Sequence, residues 1–156
     1  MTGSSITFAE DDIGYTIDKL EVGMSRSYAK TVTEADILMF AAASGDMNAV
    51  HLNQEFAEHT TFHGRIAHGL LTAGIVSACI GNKLPGLGTI YLSQSLRFKA
   101  PVHPGETVRA IVTVKSIDVA KNRVVLDTVC QVHGNTVLEG EATVLAPRRP
   151  QEAPKA

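Results

Sequence analysis

The sequence has only two cysteines, no tryptophan and no excess of either charge: 14 Lys and Arg stand against 16 Asp and Glu, a formal net charge of -2. It therefore lacks the basic field that holds a phosphate backbone, and its lysines and arginines are scattered rather than clustered, which excludes nucleic acid as an expected partner. Cys79 and Cys130 form neither a CxxC nor a disulfide-rich spacing, and read as reduced, buried thiols. The longest apolar run, Ala67 to Ile80, is shorter than the roughly 18 residues of a membrane span, so it reads as a core helix. The polar and acidic start, MTGSSITFAEDDIGYTIDKL, lacks both the positive and the apolar segment of a secretory signal, so a cytoplasmic protein is expected. There is no internal repeat, no GxSxG and no Walker pattern, and GLG at Gly86 to Gly88 is too short for a nucleotide loop.

What is present suits one soluble domain: the 156 residues, 44% hydrophobic and 19% charged, fall within the roughly 100–200 residues of a typical domain. Thr33 followed by Asp36 predicts a capped helix over Glu34 to Ala43, ending near Ser44-Gly45. Asn53 to His59 suggests a short second helix. The stretch AHGLLTAGIVSACIGNKLPG is interrupted only by His68, Thr72 and Ser77, which predicts a helix buried on every side and stopped by Gly81-Asn82 and Pro85-Gly86.

From Thr89 the period changes to two. Ile90, Leu92, Leu96 and Phe98 read as the inward face of one strand, Val108, Ala110, Val112 and Val114 of the next, and Val124, Leu126, Thr128, Cys130 and Val132 of a third. Breaks at His103-Pro-Gly105, Ala120-Lys-Asn122 and His133-Gly-Asn135 read as turns between antiparallel strands. Thr136 to Leu145 makes a last strand, and another is expected near Met24 to Val32. The layout is α+β, with the sheet curling around the long helix and its leftover edges favouring a dimer. Residues 1–27 read as an extension, 28–146 as the domain and 147–156 as a disordered tail.

The chemistry concentrates in SGDMNAVHLN, where Asp46 and His51 are five residues apart. A helix turns about 140° over that step and a strand points the two groups to opposite faces. Gly45 and Asn48 can bend the chain so that the two converge, and a carboxylate and an imidazole facing one space can hold a water and share proton removal and delivery. That suits addition of water to an activated double bond, or its reverse. Gly69, at the start of the long helix, offers backbone N–H groups and the positive end of a dipole to a developing enolate. Simpler readings stand beside these: turn roles for Asp46 and Asn48, a satisfied histidine at His51, close packing at Gly69 and Gly74, back-bonding at Ser77. His59 and His63 have the i, i+4 spacing of a metal pair, but HTTFHGR is a poor helix without an acid, and no metal is expected.

GDMNAVH at Gly45 to His51, RIAHGLLTAGIVS at Arg65 to Ser77 and LPGLGTIYLSQSLRFKAPVHPGETV at Leu84 to Val108, in that order, resemble the MaoC-like (R)-specific enoyl-CoA hydratases, over about Tyr28 to Val144. The resemblance implies a hot-dog fold, a homodimer, and reversible hydration of a trans-2-enoyl-CoA to an (R)-3-hydroxyacyl-CoA. It implies no cofactor, coenzyme A being part of the substrate. Carried over by motif, Asp46 and His51 are the catalytic pair, Asn48 the amide of the family's D-x-N-P-x-H, Gly69 the backbone donor to the thioester oxygen, and Ser77 a supporting polar group. Ala49 stands where the family usually has proline, and Lys83, Arg97 and Lys99 are candidate coenzyme A contacts. Rival readings are an acyl-CoA thioesterase, which shares the fold, and a non-catalytic acyl-CoA-binding subunit.

Overall fold

Alternating branched and polar residues produce five strands, and the apolar run produces one long helix, in a computed structural model that describes residues 13–148. The elements are β1 (Ser25–Thr31), α1 (Glu34–Ser44), α2 (Ala49–Leu52), α3 (Gln54–Glu58), α4 (Gly69–Asn82), β2 (Ile90–Phe98), β3 (Thr107–Asp118), β4 (Arg123–Val132) and β5 (Asn135–Leu145). Residues 1–12 of the expected extension and 149–156 of the expected disordered tail lie outside the described residues. Residues just before β1 pack onto the domain: the Tyr15 N–H donates to Pro85 O at 2.7 Å, and Leu20 is buried.

The capping pair behaves as its chemistry predicts. Asp36 N–H donates to Thr33 Oγ1, and Thr33 N–H donates to the Asp36 carboxylate at 2.8 Å. That second bond holds the Asp36 carboxyl below its ordinary range. At the other end of α1, Gly45 takes a left-handed φ of 78° and redirects the chain.

All strand pairs are antiparallel, in the order β1-β3-β4-β5-β2. The turns after β3 and β4 are hairpins, the second made by His133 and Gly134, both at positive φ. The break at His103-Pro-Gly105 is a different object from the expected turn between neighbours. β2 pairs with β5 and β3 with β1, so residues 99–106 cross over and pass beside the start of α4, where Ala67 N–H donates to Val102 O at 2.7 Å. Local turn signals mark where a strand ends, not which strand it joins.

α4 lies against β1, β3 and β4. Ile75, Val76, Cys79 and Ile80 meet Val108, Ala110, Val112, Val114, Val124, Leu126 and Leu138, all buried. Each such branched side chain contributes about 1.5–3 kcal/mol of transfer free energy. Burial also pushes the Cys130 thiol up to about 12 and raises that of Cys79, so both stay protonated.

Two expectations change. α4 is not covered all round: Leu70, Gly74 and Ser77 form an exposed stripe. β2 is not a half-buried strand either; Ile90, Leu92 and Phe98 are exposed and only Leu96 is partly covered. β2 is an edge strand with an irregularity at Tyr91/Ser93, so its period of two meets no second layer within one chain.

Gly140 joins β5 to that edge. A Cβ there would stand 1.9 Å from Ser95 O. Gly140→Ala is expected to lower stability by about 2 kcal/mol, read as a fall in the urea midpoint, whereas an unchanged midpoint would mean that β2 is not packed so closely.

Candidate active site

Two segments far apart in sequence build the site. The first leaves α1 at Gly45 and re-enters helix at Asn48, whose Oδ1 accepts from Val50 N–H at 3.2 Å and caps α2. Asp46 Oδ1 accepts from Asn48 N–H at 3.3 Å, and Asp46 N–H donates to Ser44 Oγ at 3.2 Å. The turn roles weighed for Asp46 and Asn48 are thus real, and they aim the segment. His51 sits in the helical turn α2, so the bend expected at Gly45 and Asn48 ends at Asn48, the cap of that turn. Ala49 is the first residue of that turn, where an N–H has no intrahelical acceptor and proline or alanine can stand.

The second segment, residues 66–68, leads into α4. His51 Nδ1 lies 2.8 Å from Ile66 O, and a carbonyl only accepts, so Nδ1 carries a proton and Nε2 of the neutral ring carries the lone pair. Likewise His68 Nε2 donates to the backbone oxygen of Asp46 at 3.0 Å. Ile66 N–H donates to Val50 O at 3.3 Å. The rings of His51 and His68 stack with centroids 3.8 Å apart, and the tilted Phe40 ring packs against His68 at 4.8 Å.

One ligand-type atom from each of Asp46, His51 and His68 lies within 4.8 Å of the other two. A single water making two hydrogen bonds of about 2.8 Å at a tetrahedral angle spans about 4.6 Å, so one water can bridge such a pair. The same three residue types can ligate a metal. One nitrogen of each ring already faces a backbone oxygen, Ile66 O for His51 and Asp46 O for His68, which leaves one nitrogen per ring for either role.

These groups line a cavity of about 660 Å³ whose walls include Phe62, Leu70, Phe98, Val102 and Val137. Gly69 lines it too, as the first residue of α4, with an N–H that the helix leaves free. The Phe98 ring rests on Gly69: a Cβ there would stand 2.6 Å from Cε1. Ser77 does not line this cavity. It stands on the exposed stripe of α4, about 12 Å further along the helix.

Of the candidate coenzyme A contacts, Lys99 lines the cavity and pairs with Glu139 at 3.5 Å. Arg97 pairs with the same carboxylate at 3.1 Å. Lys83 caps the opposite end of α4, about 20 Å from Gly69. His59 and His63 form no helical pair, since α3 ends at Glu58 and His63 has a φ of 55°. The residue that the sequence reading undervalued is His68, which registers there only as a polar interruption of an apolar run. A buried histidine placed just before the glycine that opens a helix is the signal it offers.

Residues 19–136 match the MaoC like domain family. An (R)-specific enoyl-CoA hydratase of Rhodospirillum rubrum is 49% identical over 141 residues, covering 90% of this chain and 98% of that protein. A 3-hydroxybutyryl-CoA dehydratase of Methylorubrum extorquens is 42% identical, over 89% of this chain and 88% of that protein. The unliganded R-hydratase of Pseudomonas aeruginosa superposes with a TM-score of 0.81 at 40% identity, over 92% of this chain and 96% of that one. With its antiparallel sheet laid around α4 as a hot-dog fold, and with the family's match running across both halves of the site, this chain belongs to the MaoC-like family.

Proposed function

We propose that the protein is a hydro-lyase that adds water reversibly to a trans-2-enoyl-CoA and forms an (R)-3-hydroxyacyl-CoA. The observation that carries this reading is the juxtaposition of Asp46 and His51 in the wall of a largely apolar cavity that the N-terminal residue of α4, Gly69, also lines. An apolar cavity accepts an acyl chain, an acid and a base handle one water, and a helix N-terminus takes negative charge. The relatives named above as hydratase and dehydratase support the same class.

In this reading the thioester oxygen accepts from Gly69 N–H, which draws electron density away from C3. A water held between Asp46 and His51 attacks C3 and loses a proton to the pair, with His51 Nε2 the lone pair available to take it. The electrons of the C2–C3 double bond pass into the thioester as an enolate. Return of a proton from the pair to C2 restores the carbonyl, so one molecule of water is added and both new bonds form on one face. The reaction consumes only water, and coenzyme A enters as part of the substrate, so no further cofactor is required. Asn48 acts through its cap on α2, keeping His51 in place.

The reading includes a homodimer. Leu70 on α4 and Ile90 and Leu92 on β2 are 61%, 57% and 46% exposed in one chain, an apolar face that a second copy would cover. Ser77 would then lie at the seam between subunits. Sedimentation equilibrium is expected to return twice the chain mass of 16.6 kDa, and a monomer at micromolar concentration would remove this part. Among the described residues no helix is long and apolar enough to cross a membrane, and two buried free thiols suit the reducing cytoplasm in which the reading places the enzyme.

The deciding assay follows loss of enoyl-thioester absorbance with crotonyl-CoA, with a thiol reagent present and product stereochemistry determined. Absorbance loss giving the R product without thiol release is expected. Asp46→Asn and His51→Ala should each lower kcat by about 10²–10⁴-fold, and full activity in either would refute the pair. Thiol release would instead mark a thioesterase, and binding without turnover a binding subunit. Gly69→Ala, which must displace the Phe98 ring, is expected to weaken substrate binding and raise KM several-fold; an unchanged KM would detach Gly69 and Phe98 from the acyl path.

A further inference from the structure

We propose that His68 is a positioning residue that holds the carboxylate-bearing segment and the catalytic imidazole in one fixed relation. The proposal rests on the hydratase reading for its catalytic consequence, and on geometry alone for its structural one.

The ring of His68 is 2% exposed, and its contacts and one nitrogen are spent on the site. One face stacks on His51 at 3.8 Å, Phe40 packs against it at 4.8 Å, and Nε2 donates to the Asp46 backbone oxygen at 3.0 Å. Nδ1 is buried with no hydrogen-bond partner. A buried polar atom without a partner costs stability, so an apolar ring would fill this place at lower cost unless the other nitrogen were needed. What the other nitrogen does is restrain Asp46. The segment Asp46 to Asn48 has no regular backbone pairing, its side-chain bonds are local, and Asp46, Met47 and Asn48 are all exposed. The bond from His68 ties Asp46 to a residue 22 positions away, at the foot of the rigid helix α4.

The same ring limits how His51 can tilt. His51 is pinned at Nδ1 by Ile66 O, which leaves rotation about that bond, and the stacked His68 ring blocks it on one side. One side chain therefore sets both the carboxylate's backbone and the imidazole's plane. With alanine at position 49, where proline would have stiffened the segment, this restraint carries more of the positioning.

Two substitutions separate the functions of the ring. His68→Phe keeps a flat ring against His51 and removes the donor. His68→Gln removes the ring and keeps an amide N–H that can reach the Asp46 oxygen. Both are compared with the intact protein by hydrogen exchange over residues 45–51 and by kcat, KM and the pH dependence of kcat. Expected for His68→Phe are faster exchange in that segment, a kcat lower by about 30-fold with KM within about threefold, and a displaced pH profile. His68→Gln is expected to recover most of the exchange protection and a substantial part of kcat. Wild-type exchange, kcat and pH profile in His68→Phe would overturn the proposal, as would a His68→Gln protein that melts normally yet exchanges as fast as His68→Phe. If His68→Phe does not fold, exchange in His68→Gln decides alone: retained protection supports the restraint and its loss refutes it. An intact protein without hydratase activity would sink the functional reading, while the exchange comparison would still test the restraint.

Discussion

The candidate site is held together by a clasp between residues 46–51 and residues 66–68. Three hydrogen bonds make it: Ile66 N–H to Val50 O, His51 Nδ1–H to Ile66 O, and His68 Nε2–H to Asp46 O. A fourth, from Ala67 N–H to Val102 O, anchors the clasp to the crossover strand linker. Bonds of this kind contribute only about 1 kcal/mol each to stability. Their importance is geometric, because an exposed bend and a four-residue helical turn have no means of holding two side chains still. Attached to the entrance of α4, they inherit the rigidity of the core.

The core can supply that rigidity because α4 is pinned along its length by β1, β3 and β4. At its N-terminus Gly69, whose N–H has no intrahelical acceptor, lines the cavity together with the acid and the histidines. The Phe98 ring approaches the same glycine so closely that a Cβ there would have to displace it. Packing that stabilises the fold and the electrostatics of the site thus share one element. The face of α4 that the sheet does not cover, with Leu70 and Gly74, lies on the same helix as the site, so association of two chains there would bear on the cavity as well.

Much of this was legible beforehand, for identifiable reasons. Thr33 and Asp36 announced α1 because capping is a local bond. Val108 to Val114 and Val124 to Val132 declared their buried face because both strands sit in the middle of the sheet with one side on α4. β2 misled because it is an edge strand, and its alternating apolar residues Ile90, Leu92 and Phe98 meet no second layer within one chain. The crossover of residues 99–106 was invisible because strand pairing is a long-range choice that turn residues do not encode. His51 and Asp46 were visible as a pair through their unusual spacing and the motif they complete. His68 was not, because a histidine in an apolar run has the same appearance whether it fills space or restrains a loop.

By itself the sequence determined the elements, the candidate pair Asp46 and His51 and the family, since these follow from periodicity, capping and motif order within short windows. Only the tertiary structure decided which strands pair, which side of α4 stays open, which nitrogen of each histidine bears its proton, and that residues 22 apart share one hydrogen bond. The physical reason is common to all four. Each depends on what a group meets across the fold, and a hydrogen bond or a stacked ring has direction and distance that no spacing along the chain contains.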